Sequence, residues 1–320
     1  MTGVDNRALH VFSIPLRTPF RGVDVRQGVL VRGAVGWGEF SPFADYGDNE
    51  SASWWVAATE TADSEWPPFV RDRVPVNATV PAVPPNEVAD VLSAFPGCRT
   101  AKVKVAQKGQ SSAEDQARLA AVRDILGPAG RIRIDVNGAW DLSTARLLLP
   151  LYDRAADGLE YAEQPCASIE DLAALRRRVE VPIAADESIR RSDDPMRVAK
   201  LGAADVAVLK VQPLGGVRAC LRIAEDIGLP VVVSSALETS VGIAAGVALA
   251  AALPELPYDC GLATVALLGR DVVDRPVIPV DGTVPVSRPE PHPEALAAVL
   301  ADDVTAAWWL ERVHRVARLA

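Results

Sequence analysis

The sequence predicts an α/β protein: a TIM-like (β/α) barrel preceded by a smaller α+β domain. Three observations predict it. From about Val76 onward, short apolar runs alternate with amphipathic stretches, the pattern of parallel strands joined by helices. The units follow one another without a break at roughly 30 residues or fewer, which favours a closed ring over an open sheet. Five consecutive units carry a charged residue at or just after the strand end.

The elements follow in order. Leu9–Ile14, Gly28–Val31 and Ala34–Glu39 have strand-like composition broken by glycines, and a helical stretch covers Ser51–Thr61. Pro67, Pro68, Pro75, Pro81, Pro84 and Pro85 then punctuate the chain and place a boundary there, giving a first domain over 1–84. The barrel is expected over 85–290, with strands at Ala101–Val105, Ile132–Val136, Gly158–Glu163, Ile183–Ala185, Val206–Lys210 and Val231–Ser234. Ser168 with Asp171 opens one intervening helix as a capping box, and Gly202 and Gly228 stop two others. The Ala/Gly-rich run Val241–Leu253 is too short to span a bilayer and reads as a buried helix. Residues 291–320 read as two helices over Pro293–Leu319, closing the barrel or returning to the first domain.

Composition narrows the function. Of 320 residues, 49% are hydrophobic and 23% charged, as in ordinary globular chains, so no long disordered portion is expected. The net charge of −9 argues against nucleic acid, whose phosphates need a basic stripe. It leaves a small anionic substrate open, since that sees local charge. Cys98, Cys166, Cys220 and Cys260 form no Cys-x-x-Cys pair and read as reduced thiols of a cytoplasmic protein. Met1–Pro15 has no basic segment followed by an apolar one, so neither a signal peptide nor a membrane partner is expected. The sequence sets no oligomeric state; a monomer is compatible with it.

The charged strand ends carry the chemistry. Barrel strands are covered on both sides and should be apolar. Yet Lys102 and Lys104 share one strand face, Asp135 and Glu163 end the next two strands, Asp186 follows the fourth and Lys210 the fifth. The C-terminal ends of barrel strands form the active face, so these residues converge at one mouth. Three carboxylates without a histidine make an all-oxygen site, which fits Mg²⁺ better than zinc; His10, His292 and His314 all lie outside the barrel strands. Lysines facing each other across a metal have reason to titrate low, and a neutral lysine can serve as a base, while the metal stabilises an oxyanion on a substrate carboxylate. Arg133, two before Asp135, shares its strand face and is a further candidate for the site.

Each residue has a plainer reading. A single Asp or Glu at such a place is commonly a helix cap or a surface charge, and Asp186 could cap the segment after it. Lys-x-Lys alone is commonly an exposed strand face. Trp37 and Phe43 read as core packing. Gly215-Gly216 reads as a tight turn before a helix at Val217 in preference to a phosphate loop, and Ser235 could be a helix cap. The joint pattern on five successive strands is what surface chemistry does not explain.

These residues resemble the enolase superfamily. The motifs are Lys102-Val103-Lys104, Asp135-Val136-Asn137, Glu163-Gln164-Pro165, Asp186-Glu187-Ser188 and Leu209-Lys210. The lysine pair with an opposite lysine resembles the muconate lactonizing enzyme-like subgroup. The resemblance implies a (β/α)7β barrel and makes the first domain a capping domain. Phe20-Arg21-Gly22 through Val29 is similar to its mobile capping loop, and Gly36–Phe43 to a capping-domain strand. Ser234–Gly242 is similar to its seventh-strand segment.

The resemblance also implies roles. Asp135, Glu163 and Asp186 bind Mg²⁺. Lys104 takes the proton beside a substrate carboxylate and returns it to a departing hydroxyl, Lys210 stabilises the enediolate from the opposite side, and Lys102 orients Lys104 and the carboxylate. Ser234, Ser235 and Gly261 contact a succinyl arm. The implied reaction is loss of water from a cyclohexadiene carboxylate. Racemisation of an N-acylamino acid or epimerisation of a dipeptide would use the same residues, and a non-catalytic ligand-binding barrel would predict a broken position that is not seen.

Overall fold

The computed structural model describes residues 7–20, 22–191 and 195–320. Three antiparallel strands open the chain: β1 (Leu9–Phe20), β2 (Val23–Arg32) and β3 (Trp37–Phe40). Their buried residues, among them Val11, Val29, Val31 and Phe40, pack against α1 (Asp48–Asp63), which buries Trp54, Trp55, Ala57, Ala58 and Ala62. Helix and sheet approach so closely that a Cβ on Gly38 would overlap the Ala58 carbonyl oxygen, so only glycine fits. The segment from Phe20 to Val29, expected as a loop, is the tip of the β1–β2 hairpin and most of β2. Its Arg21 lies outside the described residues.

β4 (Arg73–Pro75) then leads into β5 (Ala78–Val80), and the strand–helix alternation begins. It runs α2 (Val88–Ser93), β6 (Thr100–Lys104), α3 (Ser112–Leu126), β7 (Arg131–Asp135), α4 (Leu142–Ala155), β8 (Tyr161–Glu163), α5 (Ile169–Arg176) and β9 (Ile183–Ala185). Next come α6 (Glu187–Arg190), α7 (Arg197–Lys200), β10 (Val206–Leu209), α8 (Val217–Ile227), β11 (Val231–Val233) and α9 (Ser240–Ala252). The seven strands from β5 to β11 form one parallel sheet in sequence order. Its two edges meet through Cys260 and Gly261: Cys260 exchanges backbone hydrogen bonds with Pro75 and Asn77, and the Gly261 amide donates to the Val233 carbonyl at 2.9 Å. This eighth, two-residue strand closes the ring, and the fold is a (β/α)7β barrel.

Local chemistry explains the helix boundaries. Ser111 with Glu114 forms a reciprocal capping box at α3, and Asp141 and Ser168 cap α4 and α5, each cap worth ~1 kcal/mol. Gly228, at φ 65°, ends α8 in the left-handed region. The N-terminus of α8 is filled from within: the Glu60 carboxylate accepts from the Val217 amide at 2.6 Å. That contact favours the tight-turn reading of Gly215-Gly216, because a protein carboxylate takes the place a phosphate would occupy. α9 is buried from Ser240 to Ala251, as its Ala/Gly composition predicts.

The barrel interior divides by chemistry. Tyr161, Ala184, Val206, Val208 and Val232 fill one part as a small apolar cluster, while Asn77, Thr79, Lys102 and Arg133 make another part polar. β12 (Thr283–Pro285) pairs with β4, and the chain ends in α10 (Pro293–Ala297) and α11 (Asp303–Val316). α11 returns to the N-terminal sheet. Trp309 packs edge-on to Phe40 with ring centres 6.1 Å apart, and Arg312 donates to the carbonyls of Phe43 and Tyr46. A second core of Phe12, Ile14, Leu30, Val241, Leu268 and Val272 seats the N-terminal sheet on the barrel. Among the described residues, no helix is long and apolar enough to cross a membrane.

Candidate active site

Register brings the charged residues together. Lys104 lies beside Asp135 across β6 and β7, and Asp135 beside Glu163 across β7 and β8. Asp186 directly follows β9, and Lys210 directly follows β10. Lys102 stands one layer down between Thr79 and Arg133. β6 and β10 are four places apart in the ring of eight, so Lys104 and Lys210 face each other across the carboxylates.

The chain turns sharply where these side chains emerge. Ala106, Asn137, Gln164 and Leu237 take left-handed φ values of 58°, 51°, 41° and 64°, and all four lie just beyond strand ends at the mouth. Such strain persists only where surrounding bonds hold it. Gln164 shows how: its side-chain oxygen accepts from the Asp186 and Ser188 amides, and its nitrogen donates to Ser188 Oγ at 2.7 Å. The end of β8 is thereby tied to the end of β9, fixing Glu163 and Asp186 relative to one another.

The carboxylates are fully or almost fully buried, and each is matched by a cation. Lys102 Nζ donates to both Glu163 oxygens, at 3.1 and 2.9 Å, and lies 3.6 Å from Asp135. Lys104 Nζ donates to Asp135 Oδ2 and, at 2.8 Å, to Asn137 Oδ1. Lys210 Nζ donates to Asp186 Oδ2 at 2.6 Å. Arg190 takes the other Asp186 oxygen at 2.9 Å and reaches Tyr46 of the N-terminal domain at 2.6 Å. Asp186 forms no side-chain cap on α6, so the plainer reading of that residue is set aside.

The site's electrostatics are split. Burial pushes Glu163 up to about 7, and the neighbouring charge of Asp135 adds to this. Burial acts the same way on Asp135, but Lys104, Lys102 and Lys210 outweigh it and hold that group below the ordinary carboxylate range. Burial drives Lys104 down, helped by Lys102. Burial also opposes the Lys102 ammonium, yet Glu163 and Asp135 overcome it and carry that lysine up. The expectation that lysines facing each other across the site titrate low agrees with the direction at Lys104, while Lys102, between two carboxylates, goes the other way.

Asp135, Glu163 and Asp186 offer oxygen donors only, the set a hard divalent cation takes. Among the described residues no three such side chains are gathered into a cage, since lysine and arginine nitrogens engage their oxygens. The donor set still fits a divalent ion: a carboxylate with its pKa raised by burial and a like charge is what a bound cation would relieve.

A cavity opens above them, lined by Lys102, Lys104, Asp135, Asn137, Arg190, Lys210, Ser234, Ser235 and Gly261. Phe20 and Phe43 border it from the N-terminal domain, with the Phe20 ring centre 5.0 Å from Lys104 Nζ. Phe43 is also core, packed edge-on to Tyr46, whereas Trp37 packs against His10 with the rings tilted by 40° and does not line the cavity. Ser235 Oγ is 2.8 Å from Thr264 Oγ1 and does not cap α9, a role taken by Thr239. Arg133 shares the inner face but is absent from this lining: it donates to Glu160, to Asn77 Oδ1 at 3.0 Å and to the Asp259 carbonyl at 2.7 Å. Its long side chain runs away from the mouth, toward the opposite end of the barrel.

Sequence reasoning missed Arg190, Tyr46 and Thr79. Arg190 carried a weak signal, four residues after Asp186 and hence on the same side of a helical turn. Tyr46 and Thr79 carried none.

Comparison with known proteins gives the decisive finding. A family profile described as Enolase C-terminal domain-like matches residues 87–291, and one described as Enolase N-terminal domain-like matches residues 11–62. An o-succinylbenzoate synthase of Thermobifida fusca is 65% identical over 93% of this chain and 92% of its own. The chain belongs to the o-succinylbenzoate synthase family of the enolase superfamily. A synthase of the same name from Mycolicibacterium smegmatis is 53% identical over 95% of this chain and 94% of its own. Among solved structures, muconate lactonizing enzyme from Pseudomonas putida superposes with a TM-score of 0.77. That match covers 92% of this chain and 99% of the other at 22% identity, a likeness of superfamily fold.

Proposed function

We propose that the protein is the Mg²⁺-dependent dehydratase that converts 2-succinyl-6-hydroxy-2,4-cyclohexadiene-1-carboxylate to o-succinylbenzoate in menaquinone biosynthesis. One observation carries the chemistry: Lys104 and Lys210 face each other across three buried carboxylates. The family relationship selects the substrate.

Asp135, Glu163 and Asp186 would hold the ion, and a bound Mg²⁺ would supply positive charge to offset the negative charge that develops on the substrate carboxylate. Lys104 is the base. Its lowered pKa leaves a larger share of neutral amine, which takes the proton from the carbon bearing the carboxylate. The same ammonium then protonates the leaving hydroxyl; one water departs, and the ring becomes aromatic. Lys210, hydrogen-bonded to Asp186 on the other face, stabilises the enediolate electrostatically. Lys102, held charged by Glu163 and Asp135, orients the carboxylate. Ser234, Ser235 and Gly261 contact the succinyl arm. In this reading the part of residues 1–84 that precedes β5 caps the mouth, β5 joins residues 85–290 in the barrel that carries the chemistry, and 291–320 pack on the cap. The enzyme works in the cytoplasm, as its free thiols suit.

The test is an assay of the purified protein with Mg²⁺ on the hydroxycyclohexadiene substrate, with an N-succinyl amino acid in parallel. Fast dehydration abolished by EDTA is expected. Brisk racemisation without dehydration would move the chain to the racemase reading, which two opposed lysines also permit.

A further inference from the structure

The wall of the cavity at Ser234–Leu237 belongs to the loop between β11 and α9, yet side chains of the N-terminal sheet hold much of it. Arg26 of β2 is 2% exposed and donates from Nε to the Leu237 carbonyl at 3.0 Å and from Nη2 to the Ala236 carbonyl at 3.1 Å. It also donates to the Ser41 carbonyl and, at 3.0 Å, to Ser41 Oγ, while its guanidinium lies 4.7 Å from the centre of the Phe43 ring. Glu39 of β3 takes the other end of the loop. Its Oε2 accepts from the Thr239 amide at 3.0 Å, the Thr239 hydroxyl at 2.5 Å and the Gly242 amide at 3.2 Å. Its Oε1 accepts from Ser41 Oγ at 2.6 Å, and Gln212, just past β10, accepts from the Ser41 amide at 3.1 Å.

The loop needs this support. Leu237 is left-handed, and the Ala236 and Leu237 carbonyls both accept from Arg26. A buried carbonyl without a donor is costly, so the loop keeps its course only while Arg26 is in place. Among the described residues, these hydrogen bonds of Arg26 and Glu39 run to Ser41 and to the loop, and those of the site lysines and carboxylates run to other groups.

We infer that Arg26 and Glu39 are specificity-determining positioning residues: from the N-terminal sheet they fix the cavity wall that receives the substrate's side arm, and so set substrate affinity without taking part in proton transfer. This rests on the reading of the cavity as the substrate site. The prediction is a split between KM and kcat. Misplacing the far wall weakens binding of the arm, whereas Lys104, Asp135 and Glu163 stand on strands to which Arg26 and Glu39 make no hydrogen bond, and Gln212, two residues past Lys210, keeps its bond to the Ser41 amide. Arg26→Met removes the contacts to the Ala236 and Leu237 carbonyls together with those to Ser41, and Arg26→Lys keeps the charge with a shorter reach. Glu39→Gln preserves shape while leaving Ser41 Oγ without its anionic acceptor.

The experiment measures kcat, KM and Mg²⁺ dependence for the full-length variants, with amide hydrogen exchange at Thr239 and Gly242. For Arg26→Met the expected result is a KM raised about tenfold with kcat within about twofold and unchanged Mg²⁺ dependence, partly restored in Arg26→Lys. Glu39→Gln should raise KM by a smaller factor and speed exchange of the two amides. Should Arg26→Met fail to fold, Glu39→Gln decides alone. Folded variants with the parental KM, or with kcat lost at unchanged KM, overturn the inference. A parent protein that racemises the N-succinyl amino acid and does not dehydrate ends the dehydratase reading only. The same comparison is then made on the racemised substrate, whose arm meets the same wall.

Discussion

Lys102 and Lys104 stand on one face of one strand, two residues apart, and their surroundings drive their protonation in opposite directions. Lys102 lies between Glu163 and Asp135, which overcome its burial and keep it charged. Lys104, at the rim, is driven down by burial and by the charge of Lys102 itself. One strand thus supplies a permanent cation and, beside it, an amine able to give up its proton.

Lys104→Ala should lower kcat by ~10³-fold, the usual worth of a positioned general base. The fold should survive, since Asp135 keeps Lys102 nearby as a counter-charge. Steady-state kinetics with a thermal melt check both parts; normal turnover in a folded variant would remove Lys104 from the role of base.

Lys210→Ala should be as severe for dehydration, because the cation facing Lys104 is lost. It also leaves Asp186 with Arg190 alone, so a modest fall in Tm is expected. Assaying dehydration and racemisation together separates two roles. If dehydration persists while racemisation disappears, Lys210 is a second base rather than an electrostatic partner.

Arg133→Met should leave KM nearly unchanged and instead reduce stability. Arg133 is fully buried against Glu160, Asn77 and the Asp259 carbonyl, away from the cavity lining. Its loss leaves Glu160 partly exposed and still 3.5 Å from Arg131, and leaves Asn77 and the Asp259 carbonyl without their donor, a cost of about 1–3 kcal/mol readable as a lower urea midpoint. A large KM effect at normal stability would return Arg133 to the substrate site.

Glu39 gives the fold a pH dependence. Burial, then the charge of Glu238, raises Glu39 from its ordinary 4.5 to about 7. Below pH 4.5 the group is protonated in both folded and unfolded chains. As pH rises from there to about 7, the unfolded chain loses the proton first, so stability falls, by about 3 kcal/mol in all. Above 7 this slope ends. Glu39→Gln should remove this contribution and leave the one that Glu163, also raised to about 7, adds in the same window; urea unfolding of both proteins at pH 5 and pH 8 measures the difference.

How much was legible follows from what each residue must satisfy. Asp135, Glu163 and Lys210 stood out because a strand covered on both faces has no other use for charge. β5 escaped notice because Ala78–Val80 is three residues among prolines, and the closing strand because Cys260 and Gly261 are too few to show a period. Arg133 was placed on the correct strand face, but a face does not say which end of the barrel a long side chain reaches. Arg26, Glu39 and Tyr46 act on residues 144 to 211 positions away, a separation no local pattern encodes.

The sequence by itself determined the barrel, its charged rim and the identity of the groups there, because periodicity and burial act over a few residues at a time. The tertiary structure decided which lysine loses its proton more readily, where Arg133 points and what holds the cavity wall. Those depend on charges and donors brought together by ring closure and by the seating of the N-terminal sheet, and electrostatic interactions are set by distance in space rather than along the chain.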